Sequence, residues 1–342
     1  MPDIPLQFPW RVAKAGYSWV QSKPALAASS QPAPFLTDGR PIGTAGFHVM
    51  EYQPLVAFPG LFRVFADTEP SRDGIKAFAD RFGPLGPDVA IQIPLRDQRN
   101  AKRVLLGTGE PLAKWNDEIL TMRLAIDIWE AARNGDVGRL EHVIHWTEDG
   151  SGIHIHSHPE LTDRQLPDPP ARVERALIAS THLGDDVHGR FVRGDLVKPA
   201  LHYVQSKVNE KLEGRASPRL LWDRKRERLG LYIVPDGLIG ALWLQFARAI
   251  ERDSRFRQCA ECGIWFELAP GTARADKLYC STPCRTKAYR KRQAEAARLH
   301  GEGRSIEDIA RDLDSDPDTV RGWIERKLPS GGSGDPPQGA TG

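Results

Sequence analysis

The sequence predicts an α+β chain, and three observations carry that class. Helical periodicity over 71–82 and 111–133 alternates with segments that read as two β-hairpins. All four cysteines fall together in one basic stretch near the C-terminus. Three helices with clear capping residues follow or overlap that stretch. At 342 residues there is room for about two or three domains and for a core that needs no disulfides.

From the N-terminus, 1–45 is rich in Pro, Ala and Ser and reads as a loosely structured lead-in. Phe47 to Val56 and Leu61 to Phe65 alternate as short strands do. Over Ser71 to Phe82, Ile75, Phe78, Ala79 and Phe82 mark one helical face, and GPLGP ends it. Residues 84–108 read as irregular. Pro111 to Arg133 is the clearest long helix, with Trp115, Ile119, Met122, Ile126 and Trp129 on a broad apolar face and Asn134-Gly135 as its stop. Leu140 to Trp146, TEDGSG and Ile153 to Ser157 form the first predicted hairpin. Arg172 to His182 and Asp195 to Leu212 read as helices. Arg219 to Trp222 and Leu229 to Val234 flank the charged turn DRKRER as a second hairpin. Pro235 at the first helical position opens a helix to about Arg252.

The net charge of +2 conceals a segregation: 252–300 carries +6, 301–342 carries −4, and the remainder is neutral. A generally basic nucleic-acid binder is excluded, and one local cationic face remains. The start lacks a charged n-region followed by an apolar run, and the longest apolar stretch, 237–250, is too short for a bilayer and contains Gln245 and Arg248. The expectation is a cytoplasmic chain without a membrane partner.

The four cysteines form two pairs, Cys259-x2-Cys262 and Cys280-x3-Cys284, separated by 17 residues. Two tight knuckles at this spacing bring four thiolates to one point, the layout of a structural zinc site. Four thiolates fill a tetrahedron and leave no position for a reacting water, so one Zn2+ here is structural. Two disulfides, free thiols and an iron–sulfur or redox role are the alternatives. Gly263 suits the knuckle turn, and Ile264, Trp265 and Phe266 suit a strand packed on the metal site. Ser281 or Thr282 caps a helix to about His300, with Cys284 in its first turn.

That helix carries Arg285, Lys287, Arg290, Lys291, Arg292 and Arg298. Lys287, Lys291 and Arg298 fall on one stripe, suited to phosphate contact or to a solvated face. Ser305 caps a second helix with Ile306, Ile309, Ala310 and Leu313 on its inner face, and Asp316 caps a third with Val320, Trp323 and Ile324 inside. The first helix supplies Ala297 and Leu299. This is the helix-turn-helix plan. Thr319, Arg321 and Arg326 on the third helix are the candidate DNA contacts, whereas Asp314, Asp316 and Asp318 favour a protein partner over phosphate.

The stretch CAECGIWFELAP…KLYCSTPCRTKAYRKR, with the helix-turn-helix after it, resembles bacterial transcription regulators that carry a treble-clef finger of the CGNR type behind an N-terminal ABATE domain. The resemblance spans roughly a fifth of the chain. It implies Cys259, Cys262, Cys280 and Cys284 as metal ligands and regulation by DNA binding. It departs at Arg285-Thr286-Lys287, where that family has Gly-Asn-Arg, and residues 1–235 show no ABATE signature.

Five of the ten histidines lie in 142–158. His154, His156 and His158 project from one face of a strand, near Glu148, Asp149 and Glu160, as a metal or acid–base site or as a polar outer face opposite Ile153 and Ile155. The sequence contains no nucleophile elbow, phosphate loop or HExxH motif. The predicted organisation is therefore a lead-in over 1–45, an α+β domain over 46–252, a four-cysteine zinc module over 256–298, a helix-turn-helix over 299–328 and a disordered tail over 329–342. The leading expectation is a DNA-binding regulator without enzymatic activity. A protein-interaction adaptor is the first alternative and a metal-dependent hydrolase on the histidine hairpin the second.

Overall fold

The structure is a computed structural model that describes residues 8–25, 32–39, 49–86, 89–94, 104–156, 175–223, 227–268 and 277–325. It confirms the α+β class and divides the chain into two units. One is Met1–Phe256 with Trp265–Gly271, the other Arg257–Ile264 with Thr272–Gly342.

The first unit begins with β1 (Trp10–Ala13), β2 (Ser18–Ser22), β3 (Ala33–Thr37) and β4 (Val49–Tyr52), then α1 (Pro54–Ala57), α2 (Leu61–Ala66) and α3 (Arg72–Phe82). β5 (Val89–Pro94) and β6 (Val104–Pro111) lead into α4 (Leu112–Asn134) and α5 (Val137–Glu141). β7 (Ile144–Trp146), β8 (Gly152–His156), β9 (Arg175–Ser180), α6 (Val187–Arg190) and α7 (Val197–Leu212) follow. Then come β10 (Ala216–Asp223), β11 (Arg228–Pro235) and α8 (Leu238–Glu251). The strands form small sheets: β2-β3-β6-β5, β7-β8-β9, β1-β4 and β10-β11.

α4 is the axis of the core. Trp115, Ile119, Met122, Ala125, Ile126 and Trp129 are buried, and so are Glu118 and Arg123, so burial reaches well round the helix rather than along one stripe. α2, α5 and α7 pack on it. Two buried polar groups are satisfied in ways that fix neighbours. Arg123 donates to the carbonyls of Ala66 and Thr68 at the end of α2. Glu118 accepts from Lys211 (3.0 Å), Arg215 (2.8 Å) and the Trp243 indole (3.2 Å), joining α4, α7 and α8. Burial raises the Glu118 carboxyl, but the Lys211 charge and the Arg215 bond outweigh it and hold the group below its usual range.

The lead-in expected over 1–45 is instead structured where it is described. β1 pairs with β4 (Trp10 opposite Tyr52), and β3 buries Phe35 and Leu36 between β2 and β6. The domain therefore begins well before residue 46. Leu61–Ala66 is a helix, not a strand; a five-residue segment with four apolar residues around Arg63 satisfies either period, and here Leu61, Phe62 and Phe65 are all buried. The region read as irregular contains β5 and β6, paired Val89 to Gly109 through Pro94 to Val104. Arg175–Ser180 is a strand against β8, not part of a helix, and Val137–Glu141 is a helical turn, which shortens the first hairpin. Pro235 ends β11, and Gly237 caps α8. The capped helices match expectation: Ser71 accepts from the Gly74 amide at α3, and Gly135 ends α4 in the left-handed conformation (φ 65°).

After α8 a two-stranded sheet of β12 (Arg255–Gln258) and β13 (Trp265–Leu268) carries the chain into the second unit and back. The second unit holds α9 (Thr282–Gly301), α10 (Ile306–Asp312) and α11 (Pro317–Glu325). The tail expected over 329–342 lies outside the described residues. No helix among the described residues is long and apolar enough to cross a membrane.

Candidate metal centre

The first knuckle is made by backbone bonds. The Cys259 amide donates to the Ile264 carbonyl (2.9 Å), and the Gly263 amide donates back to the Cys259 carbonyl (2.8 Å). Gly263 sits at φ 69°, where a side chain would strain the turn. The Ala260 amide donates to the Leu278 carbonyl (3.0 Å), which aligns this knuckle with the second pair. At α9, Ser281 accepts from the Cys284 amide as N-cap, so Cys284 lies in the first helical turn.

One sulfur from each of Cys259, Cys262, Cys280 and Cys284 lies within 4.8 Å of the other three. The Cys262–Cys280 and Cys280–Cys284 separations are 3.7 and 3.5 Å. Four thiolates at about 2.3 Å from one ion stand roughly 3.8 Å apart, so the quartet fits a tetrahedral ion with small adjustments. The electrostatics fit as well. Burial raises the Cys259 thiol, but the amides of Cys280, Cys262 and Glu261 aimed at its sulfur bring it down to about 6. Burial pushes Cys280 up to about 12 and raises Cys262, and hydrogen bonds with the Cys259 and Cys284 thiols add to both shifts. One thiolate disfavours the next beside it, and a bound cation removes that penalty.

Glu261, between the first two cysteines, escapes sequence reasoning because its partners are far along the chain. It accepts from Lys287 (3.2 Å) and Lys291 (2.6 Å), and the Lys291 bond above all holds its carboxyl below the usual range. Two lysines of the predicted phosphate-contacting stripe therefore tie α9 to the knuckle. The third, Arg298, pairs with Glu295 and Glu302. Arg285 and Arg290 are exposed, and no carboxylate of the described residues pairs with them. Arg292 is partly buried, with its Nε unpartnered among the described residues.

α9 also supplies the wall of a second core. Ala296 and Leu299 pack with Ile309, Ala310, Val320, Trp323 and Ile324; Ala296 takes the place expected for Ala297. Tyr289 belongs to this core, its hydroxyl accepting from the Trp323 indole (2.8 Å). The metal module and the three-helix cluster are thus one unit on one helix, and a boundary at 298/299 cuts through it. Asp314 makes the turn between α10 and α11 at φ 45°. On α11, Thr319 is exposed, Arg321 pairs with Asp318 (2.6 Å), and Asp316 accepts from the Asp318 amide (2.8 Å). Arg326 lies outside the described residues.

Trp265 does not pack on the metal site. Its indole donates to Asp67 (2.7 Å) and its ring faces the Arg63 guanidinium (5.0 Å), both within the first unit. On the histidine hairpin, His145 stands opposite His154, and the His145 and His156 rings are 4.7 Å apart. Ile153 and Ile155 are buried on the other face. Asp149 builds the turn, accepting from Ser151 and Thr147, which holds its carboxyl far below the usual range. His158 and Glu160 lie outside the described residues. Among the described residues, the four cysteines form the one group of three or more His, Cys, Asp or Glu side chains whose ligand atoms converge. Comparison of the chain with family models, with curated proteins and with solved structures gives no match.

Proposed function

We propose that this chain is a zinc-stabilised DNA-binding protein of the bacterial regulator type, acting in the cytoplasm. The observation that carries the reading is the double duty of α9, which holds Cys284 in its first turn and the wall of a helix-turn-helix core in its last two. An all-thiolate tetrahedral donor set suits Zn2+, which when bound supplies structure rather than a reacting water. Arg285 and Arg290 are the side chains left to meet phosphate, and Thr319 and Arg321 on α11 are the candidates to meet bases, with Arg326 a candidate from the sequence alone. Arg321 must leave Asp318 to do so.

The test is the salt dependence of duplex DNA affinity for protein shown to contain one zinc per chain. Log affinity should fall linearly with log salt, and Arg285→Gln with Arg290→Gln should reduce the slope by about 2. A flat plot rejects DNA binding.

A second reading, a protein-interaction adaptor, is favoured by the ion pairs. Lys287, Lys291, Arg298 and Arg321 all engage carboxylates of their own unit, and Asp314, Asp316 and Asp318 crowd the start of α11. Partner capture that survives nuclease treatment distinguishes it.

A further inference from the structure

The β10–β11 hairpin is apolar on the side where water should be. Leu220 stands opposite Leu231, Trp222 opposite Leu229, and Pro218 opposite Ile233, so the three cross-strand pairs share one face. Leu220, Trp222, Leu229 and Leu231 are 68, 58, 62 and 50 % exposed. An antiparallel hairpin that covers a core is normally apolar inside and polar outside. Here the inner face is already committed: Tyr232 is buried, and Gly230 leaves room for its ring, since a Cβ at that position would lie 2.8 Å from it. The outer face is therefore a held platform rather than a strand in search of its register.

We propose that this face docks a second copy of the chain, sheet against sheet about a twofold axis. Area is the first argument. The exposed side chains present about 500 Å² of apolar surface, near the top of what a lone subunit shows. Two such faces apposed bury roughly 1,000 Å², the area at which specific interfaces begin. Charge is the second. The described cations of the hairpin, Arg219 and Arg228, alternate onto the opposite face, and the three apolar pairs contain no charged group. An uncharged platform of this kind suits an identical apolar face; Arg224, Lys225 and Arg226 of the turn lie outside the described residues. Self-complementarity is the third. A twofold axis lying across the strands sets the Leu220–Leu231 row of one copy on the Trp222–Leu229 row of the other, and the reverse.

Sedimentation velocity of the full chain, metal-loaded and free of nucleic acid, tests this. A dimer is expected at micromolar concentration. Leu220→Glu with Leu229→Glu should weaken it by about 100-fold or more, because each change enters the interface twice. Arg219→Glu, on the other face, should leave it unchanged. Trp222→Ser adds no charge and must weaken the dimer in the same direction, which guards against misfolding of the double variant; far-UV CD checks both. A monomer at about 100 μM, a dimer indifferent to these changes, or association that requires added DNA or anionic vesicles overturns the proposal. So does a monomer whose β10 and β11 amides are shielded from exchange by another segment of the same chain.

Discussion

The two units reach stability by different routes. The first surrounds α4 with aromatic and aliphatic side chains from most of its elements, among them Phe62, Phe65, Phe78, Trp115, Trp243 and Phe246. The second has seven buried side chains in its three-helix cluster, and its other half is organised around four sulfurs. A core that small contributes little folding energy by itself, and a metal held by the four cysteines would add what burial does not supply there. A metal-free sample should therefore keep one unit and lose the other.

The largest expected effect tests that contrast directly. Cys280→Ser with Cys284→Ser should abolish metal binding and remove roughly 10 kcal/mol of coupled folding energy from the second unit. Hydrogen exchange in α9–α11 should become fast, and the thermal transition of the first unit should stay where it was. Exchange protection that survives the substitution would show that the three-helix core suffices.

Within the first unit, Glu118→Gln removes the charge that Lys211 and Arg215 share. Breaking a buried network from one side costs about 3–5 kcal/mol, read as a lower midpoint in urea with metal content unchanged. A smaller effect of opposite sign is expected at Asp127, whose carboxyl is raised to about 6, chiefly by burial. The folded state binds that proton more tightly than the unfolded chain, so stability from this group is full below about pH 3 and is lost as pH rises through about 6. Asp127→Asn should therefore stabilise by roughly 3 kcal/mol at pH 7–8 and by nothing below about pH 3.

Legibility in the sequence divides along a similar line. The second unit is readable because its signals are local: two cysteine knuckles, Ser281, Ser305 and Asp316 as caps, and four-residue spacing in short helices. α3, α4 and the β10–β11 hairpin are readable for the same reason. What escapes has partners far along the chain. β1 pairs with β4 across about forty residues, and β3 with β6 across more than seventy, from segments whose prolines disguise them as loops. Leu61–Ala66 and β9 show that a short apolar run does not declare its own period. Glu261 looks like solvent-facing charge until the fold brings Lys287 and Lys291 to it.

One helix joins two sites that depend on its phase. Cys284 must face the other sulfurs while Ala296, twelve residues on, faces Ile309 and Val320. Adding or deleting one residue between them turns one site by about 100° relative to the other. The exposed positions of this segment are open to substitution over evolutionary time, but its length is not. Relatives of this chain should differ freely in letters between Cys284 and Ala296 and keep their number.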